Sequence, residues 1–146
     1  MSYEPKLPSG LDNLLLAGEK LAIVFAVRTN GSMPAKDFFD GELTDAERRK
    51  FRPPMERLAE TRRVENREHF KKVEATNLWE FKSHQIRLLG GYLDDGRFAL
   101  AHGIKKKQDR LKSSDIQVAE EILREFVHGE KERKRNQNKS RQEKTT

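Results

Sequence analysis

The sequence predicts an α+β fold, in which a small antiparallel-rich sheet of about four strands packs against two helices from the N-terminal half and is followed by a C-terminal helix. Three observations support this fold class. The apolar run 21–27 indicates one central strand, residues 78–107 contain three short strand patterns, and apolar residues recur at helical spacing in 44–59 and 113–126. At 146 residues, the chain is long enough to form one core without disulfide or metal support.

The central strand opens the predicted domain, residues 20–128, which follows a lead-in at 1–19. Within the lead-in, residues 11–16 are expected to form a turn of helix that ends at Gly18. The run 21–27, LAIVFAV, is apolar on both faces and rich in β-branched residues, as in a strand covered on both sides. A buried helical turn is the alternative, but the shortness of the run favours a strand.

Two helices are predicted next. The first has Ser32 as its N-cap and Pro34 in its first turn, and it ends near Gly41. The second begins with a capping box at 44–47, and the adjacent prolines 53 and 54 require a kink or a restart. Its apolar stripe consists of Phe51, Met55, Leu58 and Ala59.

A charged connector over residues 62–72 precedes the three strands. Val64, Phe70 and Val73 are its expected anchors, and a binding surface is the alternative to a solvated connector. Beyond it, Gly90 and Gly91 indicate a bulge or a close backbone approach. A hairpin is predicted at 93–97, with Gly96 at the position of positive φ.

Alternation divides the first two of these strands into two faces. Trp79, Phe81, Ile86 and Leu88 form the predicted packing face, and Glu80, Lys82 and Arg87 form the opposite face, which is offered to solvent or a partner. Trp79 is expected in the core rather than as a platform for base stacking.

The last helix starts at Ser113 or Ser114 and is expected to end at Gly129. The residues from 130 to 146 include no apolar side chain, so the segment 129–146 is expected to be a disordered basic tail. The buried stripe of the helix is Ile116, Ala119, Ile122, Leu123 and Phe126.

Composition excludes several classes of protein. The chain has no cysteine, so disulfides and thiolate metal sites are excluded, and its four histidines show no metal-ligand spacing. No apolar run approaches the ~20 residues that span a bilayer. We therefore expect a soluble cytoplasmic protein with no metal, small-molecule cofactor or membrane partner. The net charge of +6 favours polyanionic partners.

The order strand, helix, helix, three strands, helix resembles the RelE/ParE superfamily of bacterial toxins, in particular its phage-derived HigB-like branch. The resemblance covers about residues 20–128. The segments that establish it are Lys36-Asp-Phe-Phe39, Glu68-His-Phe-Lys-Lys72, Trp79-Glu-Phe-Lys82, Gln85-Ile-Arg-Leu-Leu89, His102-Gly-Ile-Lys-Lys-Lys107 and Asp115-Ile-Gln-Val-Ala-Glu-Glu-Ile122.

The resemblance implies a toxin of a type II toxin–antitoxin system that cuts mRNA on the ribosome without a metal and thereby inhibits translation. A small helix-turn-helix antitoxin would neutralise it. In such a reaction a ribose 2′-OH attacks the adjacent phosphate, which requires a proton acceptor, a proton donor and cations near the phosphorane.

By the same resemblance, Arg87 matches the strand arginine that acts on the scissile phosphate, and Lys82 matches a basic position on the preceding strand. Lys105 and Lys106 match a basic pair after the last strand. Lys107 and Arg110 extend this predicted phosphate-binding group. The alternative interpretation of Lys105, Lys106 and Lys107 is that they lie in an exposed loop between the last strand and the last helix and have no binding role.

The sequence indicates the general acid or base less clearly than the phosphate-binding residues. The chain has no tyrosine near the last helix, so His102 is the natural candidate, with Glu80 as the other. Alternation places His102 on the same face as Phe98 and Leu100, so a core histidine is the alternative. For Arg87, the alternative is a structural salt bridge to Glu80.

Two further functions stay open at this point. One is a toxin of the same fold without nuclease chemistry, such as a gyrase inhibitor of the ParE type. The other is a phage remnant that binds RNA through its charge and does not cut it.

Overall fold

The computed structural model describes residues 12–106 and 110–144, with side chains described to residue 139. The fold is α+β, as predicted, and contains three helices and six strands within these residues. In chain order these elements are β1 (Leu14–Ala17), β2 (Ala22–Phe25), α1 (Pro34–Gly41), α2 (Asp45–Thr61), β3 (Phe70–Lys72), β4 (Trp79–Ser83), β5 (Ile86–Tyr92), β6 (Phe98–Lys105) and α3 (Ser113–Lys144).

The six strands form one mixed sheet in the order β1-β2-β6-β5-β4-β3. All neighbouring strands pair antiparallel except β2 and β6, which are parallel. The predicted number of about four strands was too low because the two edge strands, β1 and β3, have only four and three residues. Strands this short show too little alternation to be recognised in a sequence.

The predicted helical turn at 11–16 is wrong in its described part, because β1 pairs with β2 from Leu14 to Ala17. Gly18 turns the chain between them, and its N–H donates to the carbonyl of Leu21 at 3.0 Å. Leu11 and the residues before it lie outside the described part of the chain. The pairing makes β2 an interior strand, as the sequence predicts.

The connector 62–72 contributes β3 at its end, which the sequence does not predict. Phe70 is buried and stacks on Trp79 of β4, with ring centroids 5.0 Å apart and an interplanar angle of 14°. The three expected anchors are confirmed, since Phe70 and Val73 are buried and Val64 packs against the core.

One face of the sheet packs against α1 and α2. Phe81, Ile86 and Leu88 lie in this core with the whole predicted stripe of α2, and Trp79 packs against it. The predicted packing face of β4 and β5 is therefore confirmed. The opposite face is covered by α3, whose predicted stripe packs on Val24, Leu89, Ala99 and Ala101.

The starts of the two N-terminal helices differ in how well the sequence predicts them. The capping box of α2 is confirmed, because Thr44 and Glu47 exchange side-chain and backbone hydrogen bonds. Ser32 is not the cap of α1, which begins at Pro34 after Met33 and has no side-chain cap. Helix α2 continues through Pro53 and Pro54 as one element, so a restart at these prolines is excluded.

Helix α3 does not end at Gly129, as predicted, but continues to Lys144. The segment expected to be a disordered tail is thus helical over its described residues. Its Lys, Arg, Glu and Gln content explains the difference, because these residues favour helix even where no apolar side chain stabilises it by packing. Of the helices in the described part of the chain, none combines the length and apolar character that a membrane crossing requires.

Candidate active site

A group of polar side chains lies between the sheet and the start of α3. We call it the polar cluster, and it consists of Glu80, Arg87, His102, Lys106 and Asp115. The first three stand on β4, β5 and β6, on the face opposite the core of α1 and α2. Lys106 follows β6 directly, and Asp115 lies in the first turn of α3.

His102 reaches this cluster because a bulge in β6 shifts the alternation. Leu89 pairs with His102 and the next residue, Gly90, pairs with Leu100, so Ala101 is the extra residue. A Cβ on Gly90 would lie 2.3 Å from the carbonyl oxygen of Ala99, which explains why glycine is needed beside the bulge. The predicted bulge is confirmed, and the predicted shared face of His102 with Leu100 is wrong.

The imidazole of His102 is paired with a carboxylate. Its Nε2 lies 3.2 Å from Oδ1 of Asp115, and the two side chains are 20% and 22% exposed. With an ionised Asp115 the Nε2–H donates to the carboxylate, which leaves Nδ1 as a proton acceptor. Sequence reasoning missed Asp115 as a site residue. The feature of the sequence that could have indicated it is its position in the first turn of the last helix, shortly after the last strand.

Arg87 is buried, with only 1% of its surface exposed. Its Nη1 donates to the carbonyl oxygen of His84 at 2.5 Å and to that of Ile86 at 3.1 Å. His84 has a positive φ of 53° in the β4–β5 turn. Arg87 therefore stabilises a turn of unfavourable backbone geometry, and the expectation of an exposed face at this residue is wrong because α3 covers that side of the sheet.

Glu80 is the second buried charge, with 2% of its surface exposed. Its Oε1 lies 3.6 Å from Nζ of Lys71 on β3, and its Oε2 has no hydrogen-bond partner among the described residues. A buried carboxylate oxygen without a hydrogen-bond partner is costly, so Glu80 is an unusual feature of the interior of this sheet.

Lys106 is buried at the edge of the cluster. Its Nζ donates to the main-chain carbonyl of Arg110, and its N–H donates to the carbonyl of Gln85 at 2.6 Å. Burial lowers the pKa of its ammonium group. The negative charge of Asp115 opposes this shift, the positive charges of Lys112 and Arg87 add to it, and Glu80 opposes it more weakly.

The other predicted cations lie at the margin of the cluster or apart from it. Lys82 is half-buried and stands opposite Arg87 in the β4–β5 pairing. Lys105 is exposed on the other side of the sheet, where its Nζ lies 3.4 Å from Oε1 of Glu47 at the start of α2. Arg110 is exposed, and Lys107 lies outside the described residues.

The structure thus brings together Glu80, Arg87, His102 and Lys106, and it separates Lys105 from them. Within residues 12–106 and 110–144, no three histidine, aspartate or glutamate side chains are grouped as a metal site requires. What the cluster offers chemically is a histidine paired with the carboxylate of Asp115, together with a lysine, also acted on by the charge of Asp115, whose pKa is lowered by burial.

Residues 37–124 match the sequence model of a family described as phage-derived, Gp49-like protein (DUF891). The match covers more than half of the chain and includes α1 from Asp37 onward, α2, the strands β3 to β6 and α3 as far as Arg124. All members of the polar cluster lie within it. No curated protein matches the chain significantly.

Proposed function

Because the chain belongs to the phage-derived Gp49-like family, we propose that it is the toxin of a type II toxin–antitoxin system and acts as a HigB-like, ribosome-dependent mRNA endonuclease. The family is associated with RelE-type toxins, which supports a toxin role. The order of elements from β2 to α3 also supports it, since β3 is the one addition to the order on which the resemblance rests.

The observation that supports nuclease chemistry best is the pairing of His102 with Asp115, whose negative charge also acts on the ammonium group of Lys106. A histidine is the side chain whose unperturbed pKa suits proton transfer at neutral pH, and a carboxylate on one nitrogen fixes the ring orientation. The alternative of a buried core histidine is disfavoured by the bulge, which turns His102 away from Phe98 and Leu100.

In the proposed reaction, Nδ1 of His102 accepts the proton of a ribose 2′-OH. The 2′-oxygen attacks the adjacent phosphorus, the bond from phosphorus to the 5′-oxygen breaks, and the leaving oxygen receives a proton from the ammonium group of Lys106. The products are a 2′,3′-cyclic phosphate and a 5′-hydroxyl. A lowered pKa makes Lys106 a better proton donor than an ordinary lysine, since its ammonium form is less stable.

Arg87 and Glu80 have a different role in this proposal from the one the resemblance implies. Both have no more than 2% of their surface exposed, compared with 8% for Lys106, so they are positioning residues rather than direct phosphate contacts. Arg87 holds the β4–β5 turn and contributes positive potential near Lys106, while Glu80 contributes negative potential. Lys82 and Arg110, which are more exposed, remain the proposed contacts to the RNA phosphates, and a small helix-turn-helix antitoxin remains the proposed partner.

The test is cleavage of mRNA in a translating extract by purified protein. We expect cuts within codons that end in 2′,3′-cyclic phosphates, and we expect His102→Ala to abolish them. His128→Ala is the matched control, because His128 is an exposed histidine of α3 outside the polar cluster. Arrest of translation with intact mRNA, or full cleavage by His102→Ala, would contradict the proposal.

A second candidate is a toxin of this family without nuclease activity, such as a gyrase inhibitor. The burial of Arg87 favours it, since an arginine held by two main-chain carbonyls has a sufficient structural role. Inhibition of DNA supercoiling at concentrations that leave translation unaffected would identify this function.

A further inference from the structure

The positive charge of the chain is concentrated at one end of α3. Residues 130–146 contain seven Lys and Arg and three Glu, a net charge of +4, whereas the whole chain has a net charge of +6. The preceding 129 residues therefore contribute only +2. We call residues 130–144, the helical part of this segment, the basic arm.

The basic arm lies beyond the part of α3 that packs on the sheet. Phe126 is the last residue of α3 in the core, and an ion pair of 2.6 Å between Arg97 and Glu130 fixes the helix to the β5–β6 hairpin. A helix of this length extends for about 22 Å. Its side chains from 134 to 139 are all exposed. An exposed helix without apolar residues has no core to stabilise it, so a charged partner is a natural source of stability.

The charges of the arm are arranged by face. Successive residues of an α-helix are rotated by 100° about its axis. Viewed along the axis of the arm, four cationic side chains and one amide side chain lie within about 140°, and the two acidic side chains that are described lie outside this range. This cationic face consists of Lys131, Lys134, Arg135, Asn138 and Lys139.

The two acidic residues of the arm whose side chains are described, Glu130 and Glu132, are already paired. Glu130 binds Arg97 and lies 3.9 Å from Arg133, and Glu132 lies 3.5 Å from Arg135. Lys131, Lys134 and Lys139 are exposed and form no ion pair with another described residue. Three ammonium groups on one helical face are thus available to an external anion.

We propose that the cationic face of the basic arm binds the phosphate backbone of a nucleic acid without reading its sequence. Lysine, arginine and asparagine side chains are the usual contacts to phosphate oxygens, and such contacts need no apolar anchor. Apolar or aromatic anchors usually strengthen binding to an acidic protein, and inserted apolar side chains usually add to the electrostatic attraction of a membrane surface. Residues 130–146 contain neither, which favours a nucleic acid as the partner. This inference concerns a surface outside the polar cluster and does not depend on nuclease chemistry.

The test uses the full chain and two variants that lose the same charge. In the arm variant, four cations of the cationic face become glutamine, which retains helix propensity: Lys131→Gln, Lys134→Gln, Arg135→Gln and Lys139→Gln. The control variant loses four exposed cations elsewhere: Arg52→Gln, Arg63→Gln, Arg67→Gln and Lys72→Gln. Binding to labelled single-stranded RNA and to duplex DNA is measured by fluorescence anisotropy over a range of salt concentrations.

We expect the wild-type protein to bind both nucleic acids, and we expect the arm variant to lose most of this affinity. The slope of log K against log salt should become less negative by about 2.8 for single-stranded RNA and by about 3.6 for duplex DNA, as four lost phosphate contacts predict. Tighter binding to RNA than to DNA, or the reverse, would identify which of the two nucleic acids the arm binds. Circular dichroism checks that both variants retain their helix content.

Three results would overturn the proposal. One is an equal loss of affinity in the two variants, which would indicate an effect of net charge alone. Another is unchanged binding by the arm variant. The third is tighter binding of wild-type protein to polyglutamate or to phosphatidylserine vesicles than to RNA or DNA, which would identify an acidic protein or a membrane as the partner. Cleavage assays are not needed, so failure here is distinct from failure of the proposed nuclease function.

Discussion

Nε2 of His102 and Oδ1 of Asp115, 3.2 Å apart, connect the last strand of the sheet to the first turn of the last helix. The histidine is available for this contact because of the bulge at Ala101, and the aspartate because α3 lies across that face of the sheet. Proper docking of α3 is therefore a condition for the proposed chemistry.

Asp115→Asn should lower the cleavage rate by about 10²-fold, because the neutral amide no longer orients His102 or stabilises its protonated form. Its effect on the free energy of unfolding should be only about 0.5 kcal/mol, as expected for one acid in the first turn of a helix. Asp45→Asn, in the first turn of α2, should cost similar stability and leave cleavage intact. Equal cleavage rates of the two variants would show that Asp115 has no role in the reaction.

Arg87→Ala should reduce the free energy of unfolding by about 3 kcal/mol, because it removes a buried charge from its partners. The carbonyls of His84 and Ile86 also lose their donor. Denaturant unfolding measures the loss. Arg52→Ala is the control, since Arg52 is exposed on α2 and its removal should cost no more than about 0.5 kcal/mol. A loss of activity without a loss of stability would show that Arg87 acts on the substrate instead.

Gly129→Ala should stabilise the protein by about 1 kcal/mol, because alanine favours a helix interior more than glycine does. Apart from its two chain neighbours and the nearby backbone of α3 itself, no described residue places a heavy atom within 4 Å of the added Cβ, and Gly129 is not among the residues of positive φ. The sign of the effect is the test: if α3 ended at Gly129 in a left-handed conformation, the same change would be destabilising. Thermal unfolding followed by circular dichroism gives the answer.

Acid should weaken the attachment of α3 through Glu125. Its carboxylate accepts hydrogen bonds from the N–H of Thr29 at 2.6 Å and from Arg28 at 3.0 and 3.2 Å. The hydrogen bonds to Thr29 and then the contact with Arg28 lower the pKa of Glu125. Its contribution to stability is thus complete above the ordinary carboxyl pKa of 4.5 and is lost as the pH falls through the lower folded-state value.

Glu125→Gln should therefore reduce stability at neutral pH and flatten its decline in acid, as measured by denaturant unfolding at a series of pH values. Glu74→Gln, at an exposed turn, is the control and should change neither. An unaltered acid dependence in Glu125→Gln would assign the decline to other carboxylates, such as Glu47, whose pKa is lowered by its capping contacts with Thr44.

The sequence by itself determined the α+β class, the three strands β4 to β6 and the apolar stripes of α2 and α3. These features depend on local periodicity, which is encoded in neighbouring residues. The capping box at Thr44 and the hairpin glycine at 96, where φ is 92°, are local in the same sense. The packing face of β4 and β5 followed from alternation alone.

Tertiary structure decided what the polar residues face. The edge strands β1 and β3 are strands because they pair with β2 and β4, which no local pattern reveals. Arg87 and Glu80 are buried because α3 covers a face that alternation marks only as polar. His102 meets Asp115 because one bulge displaces the alternation by a residue, and only the pairing of β5 with β6 fixes where that bulge lies.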